Sequence, residues 1–120
     1  MTTNWSTGTT IAPTRLPAAI TTYLVAHQAR DLDAAIAHYA PDASVTDEGH
    51  TYTGPDAIRE WLATSATEYT YTTELTGARE IDDHRYVATH HLEGNFPGGT
   101  VDLDFTFTLE GDVITRLAIA

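Results

Sequence analysis

A chain of 120 residues with 42% apolar content has room for one domain and one sizeable core. It contains no cysteine and no lysine, which excludes disulfides, thiolate nucleophiles, cysteine metal centres and Schiff-base chemistry on a lysine amine. A formal charge of −11 repels phosphate backbones and anionic lipid surfaces. No nucleic acid and no membrane partner is therefore expected, and a neutral or weakly polar small molecule is. Apolar runs are too short to cross a bilayer and the N-terminus lacks a signal pattern, so the expected compartment is cytoplasmic.

Residues 1–15 are polar, threonine-rich and aperiodic, and read as a disordered or loosely docked tail with Trp5 and Ile11 available to pin it. The domain proper is expected over 16–120. Leu16, Ile20, Tyr23, Leu24 and His27 recur at helical spacing and predict a helix from Leu16 to Ala29. A shorter helix follows from Asp31 to Tyr39, with Asp31 as N-cap and Pro41 ending it. Ala43 to Asp47 alternates as a short strand that stops at Glu48-Gly49. Pro55 opens a third helix reaching about Ala66, with Ile58, Trp61, Leu62 and Ser65 inward.

Beyond it the period changes from 3.6 to 2. Tyr69-Tyr71-Thr73-Leu75 alternates with Thr70-Thr72-Glu74-Thr76 as a first long strand. Asp82-Asp83-His84 turns into a second strand, Arg85 to Asn95. Pro97-Gly98-Gly99 turns into a third, in which Val101, Leu103, Phe105, Phe107 and Leu109 share a face. Glu110-Gly111-Asp112 closes a hairpin into Val113 to Ile119. Helices first and a strand meander after them predict an α+β fold, an antiparallel sheet with helices on one face.

Four polar residues stand on the apolar faces. Tyr23 offers a hydroxyl able to stabilise developing oxyanion charge, or simply a core phenol with a satisfied oxygen. His27, one turn later, points the same way. Asp47 ends the short strand on the face of Val45. In a low-polarity hollow it would serve as a general base, and outside one it is a solvated turn residue. His90 and His91 face opposite sides of a strand and cannot share a metal; His90, with the parity of Ala88 and Leu92, is the inward one. No spacing matches a metal site, a nucleophile elbow or a phosphate loop. Neither a metal nor another cofactor is expected.

The stretches Tyr23-Leu-Val-Ala-His-Gln-Ala-Arg-Asp-Leu-Asp, Tyr39-Ala-Pro-Asp-Ala, Val45-Thr-Asp-Glu-Gly and Gly54-Pro-Asp-Ala-Ile-Arg-Glu-Trp resemble the nuclear-transport-factor-2-like superfamily. Within it they look closest to SnoaL-like polyketide cyclases and ketosteroid isomerases. Gly94-Asn-Phe-Pro-Gly-Gly and Phe105-Thr-Phe-Thr-Leu-Glu-Gly-Asp-Val-Ile are similar to SnoaL-like members too. The resemblance implies a cone, a strongly curved sheet wrapped around three helices, with an apolar cavity at the open end. It also implies a homodimer through the outer sheet face. Asp47 falls where ketosteroid isomerases keep their general base, and Tyr23 where they keep the oxyanion-hole tyrosine. Their second donor, a protonated aspartate, falls at Leu103, which cannot donate. Asp102 and Asp104 have the wrong parity to replace it, which leaves His27 or His90.

The expected activity is proton abstraction α to a carbonyl of a small apolar ligand, giving isomerisation or ring closure. Asp47 is the expected base and Tyr23 the expected donor, aided by His27 or His90, between walls formed by Trp61, Leu103 and Phe105. The alternatives are a non-catalytic domain that binds a small hydrophobic ligand, or a dimerisation module.

Overall fold

The computed structural model describes residues 8–68 and 70–120, without the side chains of 65–68. The parts expected of Trp5, the Ser65 side chain and Tyr69 lie outside the described residues.

The first helix, α1, spans Ala18–Ala29 behind Pro17 and buries Ile20, Tyr23 and Leu24. It ends where Arg30 turns left-handed at φ 59°. Asp31 then caps α2, Leu32–Ile36, its carboxylate accepting from the Ala34 N–H at 3.2 Å. The spacing that suggested helix as far as Tyr39 is overridden. Pro41 disfavours helical backbone in the residue before it, and the chain runs extended from Tyr39 to Asp47 as β2. Pro41 costs no ladder bond there, because the pairing of β2 slips between Tyr39 and Ser44.

Glu48 and Gly49 both take positive φ, 52° and 79°. The strand stops there, as expected, and the pair forms a two-residue hairpin turn. The turn carries β2 into β3, His50–Thr53, with Asp47 opposite His50. Helix α3 covers Pro55–Glu68 and buries Ile58, Trp61 and Leu62. The remaining strands are β4 (Tyr71–Glu80), β5 (Arg85–Gly94), β6 (Thr100–Glu110) and β7 (Val113–Ile119). The C-terminal meander therefore follows the sequence reading closely. Inside the segment expected to be a loose tail, Thr9–Ile11 adds a further strand. It pairs antiparallel with Arg79 and its neighbours on β4, and Ile11 packs on the core. Numbered from this one, it is β1.

The seven strands form one sheet in the order β1-β4-β5-β6-β7-β2-β3. Every pairing is antiparallel except β2 with β7. The curved sheet packs on the three helices as an α+β cone. Its inner face, with Val45, Ala88, Phe107, Ile114 and Leu117, meets Ile20, Leu24 and Ile58 of the helices in one core. The outer face is polar: Arg79 pairs with Asp104 at 3.2 Å, and His91 stands between Asp102 and Glu93. No described helix is long and apolar enough to cross a membrane.

Candidate active site

Between α1, α3 and the sheet lies a cavity of about 350 Å³. Its walls come from every layer: His27 of α1, Trp61 of α3, and Leu92, Leu103, Phe105 and Ile119 of the sheet. Asp47 and Glu48 stand at one side, and Phe96 and Pro97 of the β5–β6 loop close the mouth. A second hollow of about 290 Å³ adjoins it across Asp47 and Trp61, lined by His50, Tyr52 and Glu60.

Asp47 reaches this cavity because β2 alternates: Ala43 and Val45 point into the core and Asp47 is the next residue of that parity. Its orientation is set by α3. Trp61 follows Ile58 on the buried stripe, and its indole Nε1–H donates to Asp47 Oδ2 at 3.0 Å. That bond occupies one carboxylate oxygen and leaves Oδ1 without a partner among the described residues.

Tyr23 does not reach the ligand space. It is fully buried and absent from the cavity wall, so the expectation that its phenol contacts the ligand is corrected. Its oxygen is engaged on both sides. The Tyr39 hydroxyl donates to it at 2.7 Å, and 2.9 Å away lies Nδ1 of His27. The assignment that gives the Tyr23 proton a partner has it donated to Nδ1. The neutral imidazole then carries its proton on Nε2. His27 does line the cavity. Burial, reinforced by the nearby His90, lowers its pKa to about 4, so the ring is uncharged at neutral pH. Burial likewise raises the phenol of Tyr23, against the opposing pull of the Tyr39 hydrogen bond. Tyr39 is raised as well, by burial and by Tyr23.

Trp61, Leu103 and Phe105 all stand in the cavity wall. His90 does not. It is 1% exposed and pairs across the sheet with Leu103, its ring centred 4.6 Å from that of Phe105. Neither ring nitrogen makes a well-formed hydrogen bond, and burial lowers its pKa against a weaker upward pull from the backbone of Ala88. His91 faces the outside, as strand parity required.

Sequence reasoning missed Tyr39, which holds Tyr23, and Tyr71 and Glu48, which share the cavity wall. The alternation Tyr39-x-x-x-Ala43-x-Val45 carried a signal for the first, hidden by the helical spacing that also fits it. Among the described residues no group of three or more histidines and carboxylates is arranged to hold a metal ion.

A curved sheet closed on three helices, with a carboxylate and a neutral imidazole in one apolar cavity, invites comparison with known proteins. The SnoaL-like domain family matches residues 20–117. The chain belongs to the SnoaL-like family. A candidate polyketide cyclase from Sinorhizobium meliloti is similar over 92% of this chain and 100% of its own, with 31% identity and a TM-score of 0.85. A protein with a ketosteroid isomerase-like fold from Catenulispora acidiphila shares 21% identity and a TM-score of 0.73 over 87% of this chain and 85% of its own. A cystatin-fold protein from Novosphingobium aromaticivorans shares 17% identity and a TM-score of 0.71, over 85% and 94% of the two chains. No curated protein matches. For this SnoaL-like chain the more distant likenesses establish the nuclear-transport-factor-2-like fold, and its own residues carry the chemistry.

Proposed function

We propose that the chain is a cofactor-independent isomerase or cyclase of the cytoplasm, acting on a small apolar ligand that contains a carbonyl group. The observation that carries this reading is the placement of Asp47 and His27 in the wall of one largely apolar cavity. One is a carboxylate with an oxygen unpartnered among the described residues, and the other an imidazole that burial keeps neutral, its Nδ1 against Tyr23 and, in this reading, its proton on Nε2.

In this reading Asp47 Oδ1 takes a proton from the carbon α to the carbonyl. The C–H electron pair becomes a carbon–carbon π bond, and the carbonyl π pair moves onto oxygen. His27 Nε2–H donates to that oxygen as its charge grows, which is where a fixed donor lowers the barrier most. For isomerisation of a β,γ-unsaturated ligand the β,γ π pair takes the proton back from the Asp47 carboxylic acid at the γ carbon, the double bond moves to α,β and the carbonyl re-forms. For ring closure the enolate carbon forms a bond to a second carbonyl carbon of the same ligand, and the resulting alkoxide takes the proton from Asp47. Both outcomes balance without a co-reactant.

Tyr23 and Tyr39 act here as positioning residues, holding His27 in one tautomer. Leu92, Leu103, Phe105 and Ile119 exclude water, and Trp61 orients the base. We also place a homodimer contact on the polar outer face of the sheet.

One observation favours a second reading. Leu103 offers no second donor to the ligand oxygen, which suits a domain that binds a small hydrophobic ligand without transforming it. Asp47→Asn separates the two. A positioned base is worth on the order of 10²–10⁴ in rate, so turnover of an enolisable cyclic enone should fall by that factor while ligand affinity and melting temperature hold. Undiminished turnover in the variant eliminates Asp47 as the base.

A further inference from the structure

We infer that the small chamber lined by His90 and Phe105 is a binding subsite for one hydroxyl oxygen, held by His90, and that it selects apolar ring ligands bearing a hydroxyl group. The inference rests on the reading of the main cavity as a ligand site, but not on Asp47 acting as a base.

The chamber measures about 20 Å³, room for about one water oxygen. His90 points into it from the middle of β5. The side chains of its cross-strand neighbours, Leu75 on one side and Leu103 on the other, can supply no hydrogen bond. With 1% of its surface exposed and neither nitrogen in a well-formed hydrogen bond, it is the one buried polar side chain among the described residues left in that state, the backbone of Ala88 lying near enough to act on it. A neutral imidazole presents one donor and one acceptor. Leaving both empty incurs their desolvation penalty with nothing in return. Phenylalanine would fill the same space against Phe105 without that cost. A histidine in this place is explained by an oxygen that visits it.

The chamber is placed to receive one from the ligand. His27, Tyr71, Leu92 and Phe105 line both this chamber and the main cavity, so the two spaces adjoin. Thr73 and Gln28 add polar groups around the same small volume. Burial keeps His27 and His90 uncharged, which suits a neutral hydroxyl better than a carboxylate or an ammonium group. A water molecule offers the same chemistry when no ligand hydroxyl is present.

The test is calorimetric titration of the whole protein with 2-naphthol and with 2-methylnaphthalene, which has the same shape but a methyl in place of the hydroxyl. The wild type should prefer 2-naphthol by about tenfold, the value of one hydrogen bond to an otherwise orphaned group. His90→Phe should bring that ratio to about one without weakening 2-methylnaphthalene, and His90→Gln should keep part of it. His90→Leu stands in if His90→Phe does not fold. A crystal structure of the 2-naphthol complex should place the hydroxyl within hydrogen-bond reach of His90, and the unliganded crystal should hold a water there. An unchanged preference in the His90 variants, a dry chamber, or no binding of either compound overturns the inference. If His27→Asn alone removes the preference, the hydroxyl sits in the main cavity and the inference falls while the Asp47 mechanism stands. If instead Asp47→Asn retains turnover, the mechanism falls and these binding ratios are untouched.

Discussion

The hydroxyl of Tyr23 and Nδ1 of His27, one helical turn apart on α1, lie 2.9 Å from each other, and this contact decides which imidazole nitrogen is left to face a ligand. Tyr39 completes the chain from the far side at 2.7 Å. Tyr23→Phe keeps the ring and removes the link, leaving Nδ1 of His27 and the Tyr39 hydroxyl without their partner. Two buried groups orphaned together should cost about 1–3 kcal/mol of stability. With the tautomer no longer fixed, kcat should fall by about 10- to 100-fold, the usual range for an outer partner that orients an imidazole, with KM little changed. Wild-type kcat in a folded Tyr23→Phe protein would remove the relay from the mechanism.

The burial of His27 makes the fold sensitive to acid. His27 titrates at about 4 in the folded chain against an ordinary 6.5, so between these values the unfolded chain binds the extra proton. Unfolding free energy therefore rises with pH across this window, and stability is lost as pH falls from about 6.5 to about 4. The contribution from His27 should amount to up to about 3 kcal/mol. His90 shifts in the same direction. The exposed His91, raised by Asp102 and Glu93, works in the opposite sense. Urea unfolding at pH 7 and at pH 4.5 should show a shallower acid loss in His27→Asn than in the wild type. Equal slopes would mean that other groups govern the acid limb.

Much of this architecture was legible in the residues. Ile20, Tyr23, Leu24 and His27 repeat at helical spacing, and the stripe they form is buried apart from the partly open His27. The alternation from Val101 to Leu109 and the Glu110-Gly111-Asp112 turn define β6 and its hairpin partner almost to the residue. What escaped depends on distant pairings. Strand β1 is three residues long, too short for any period to show, and exists because β4 offers it an edge. Strand β3 hides behind a turn whose first residue, Glu48, is an unusual choice for positive φ. At the site, strand parity alone brought Asp47 inward. The partner that holds the Tyr23 hydroxyl is Tyr39, sixteen residues on, in the segment where Pro41 replaces helix by strand. That neither nitrogen of His90 makes a well-formed hydrogen bond is a property of its neighbours on two other strands, which no local pattern records.

The outer sheet face is the proposed dimer contact, and it is polar but internally compensated. Asp104 accepts from both Arg79 and Thr89, so its charge is already spoken for within one chain. Thr106 lies on this face, opposite Val87 on one side and Ala118 on the other. Thr106→Arg would place a long cation at the centre of the contact without disturbing the core behind it. Sedimentation velocity should show the dimer giving way to monomer, with 2-naphthol affinity unchanged. A dimer that persists in Thr106→Arg moves the interface elsewhere.

The mouth of the cavity depends on close backbone packing at Gly94. A Cβ there would stand 2.5 Å from the Thr70 carbonyl oxygen and 2.5 Å from Cβ of Tyr71, closer than atoms can approach, and the obstacle is partly backbone. Gly94 is the last residue of β5, and its N–H donates to the Gly99 carbonyl at 2.9 Å. Asn95 ties the following loop back to Thr70 through its own N–H and its side-chain oxygen. Gly94→Ala should therefore push β4 away from the loop that carries Phe96 and Pro97, losing about 1–3 kcal/mol as overpacked sites do. Gly111 supplies the contrast. It has φ 64° but nothing near its absent Cβ, so Gly111→Ala should cost about 1–2 kcal/mol of backbone strain at the opposite end of β6. Urea unfolding should find both variants weakened, whereas calorimetry should find 2-naphthol affinity reduced only in Gly94→Ala. Equal affinities in the two variants would mean that the loop does not shape the ligand site.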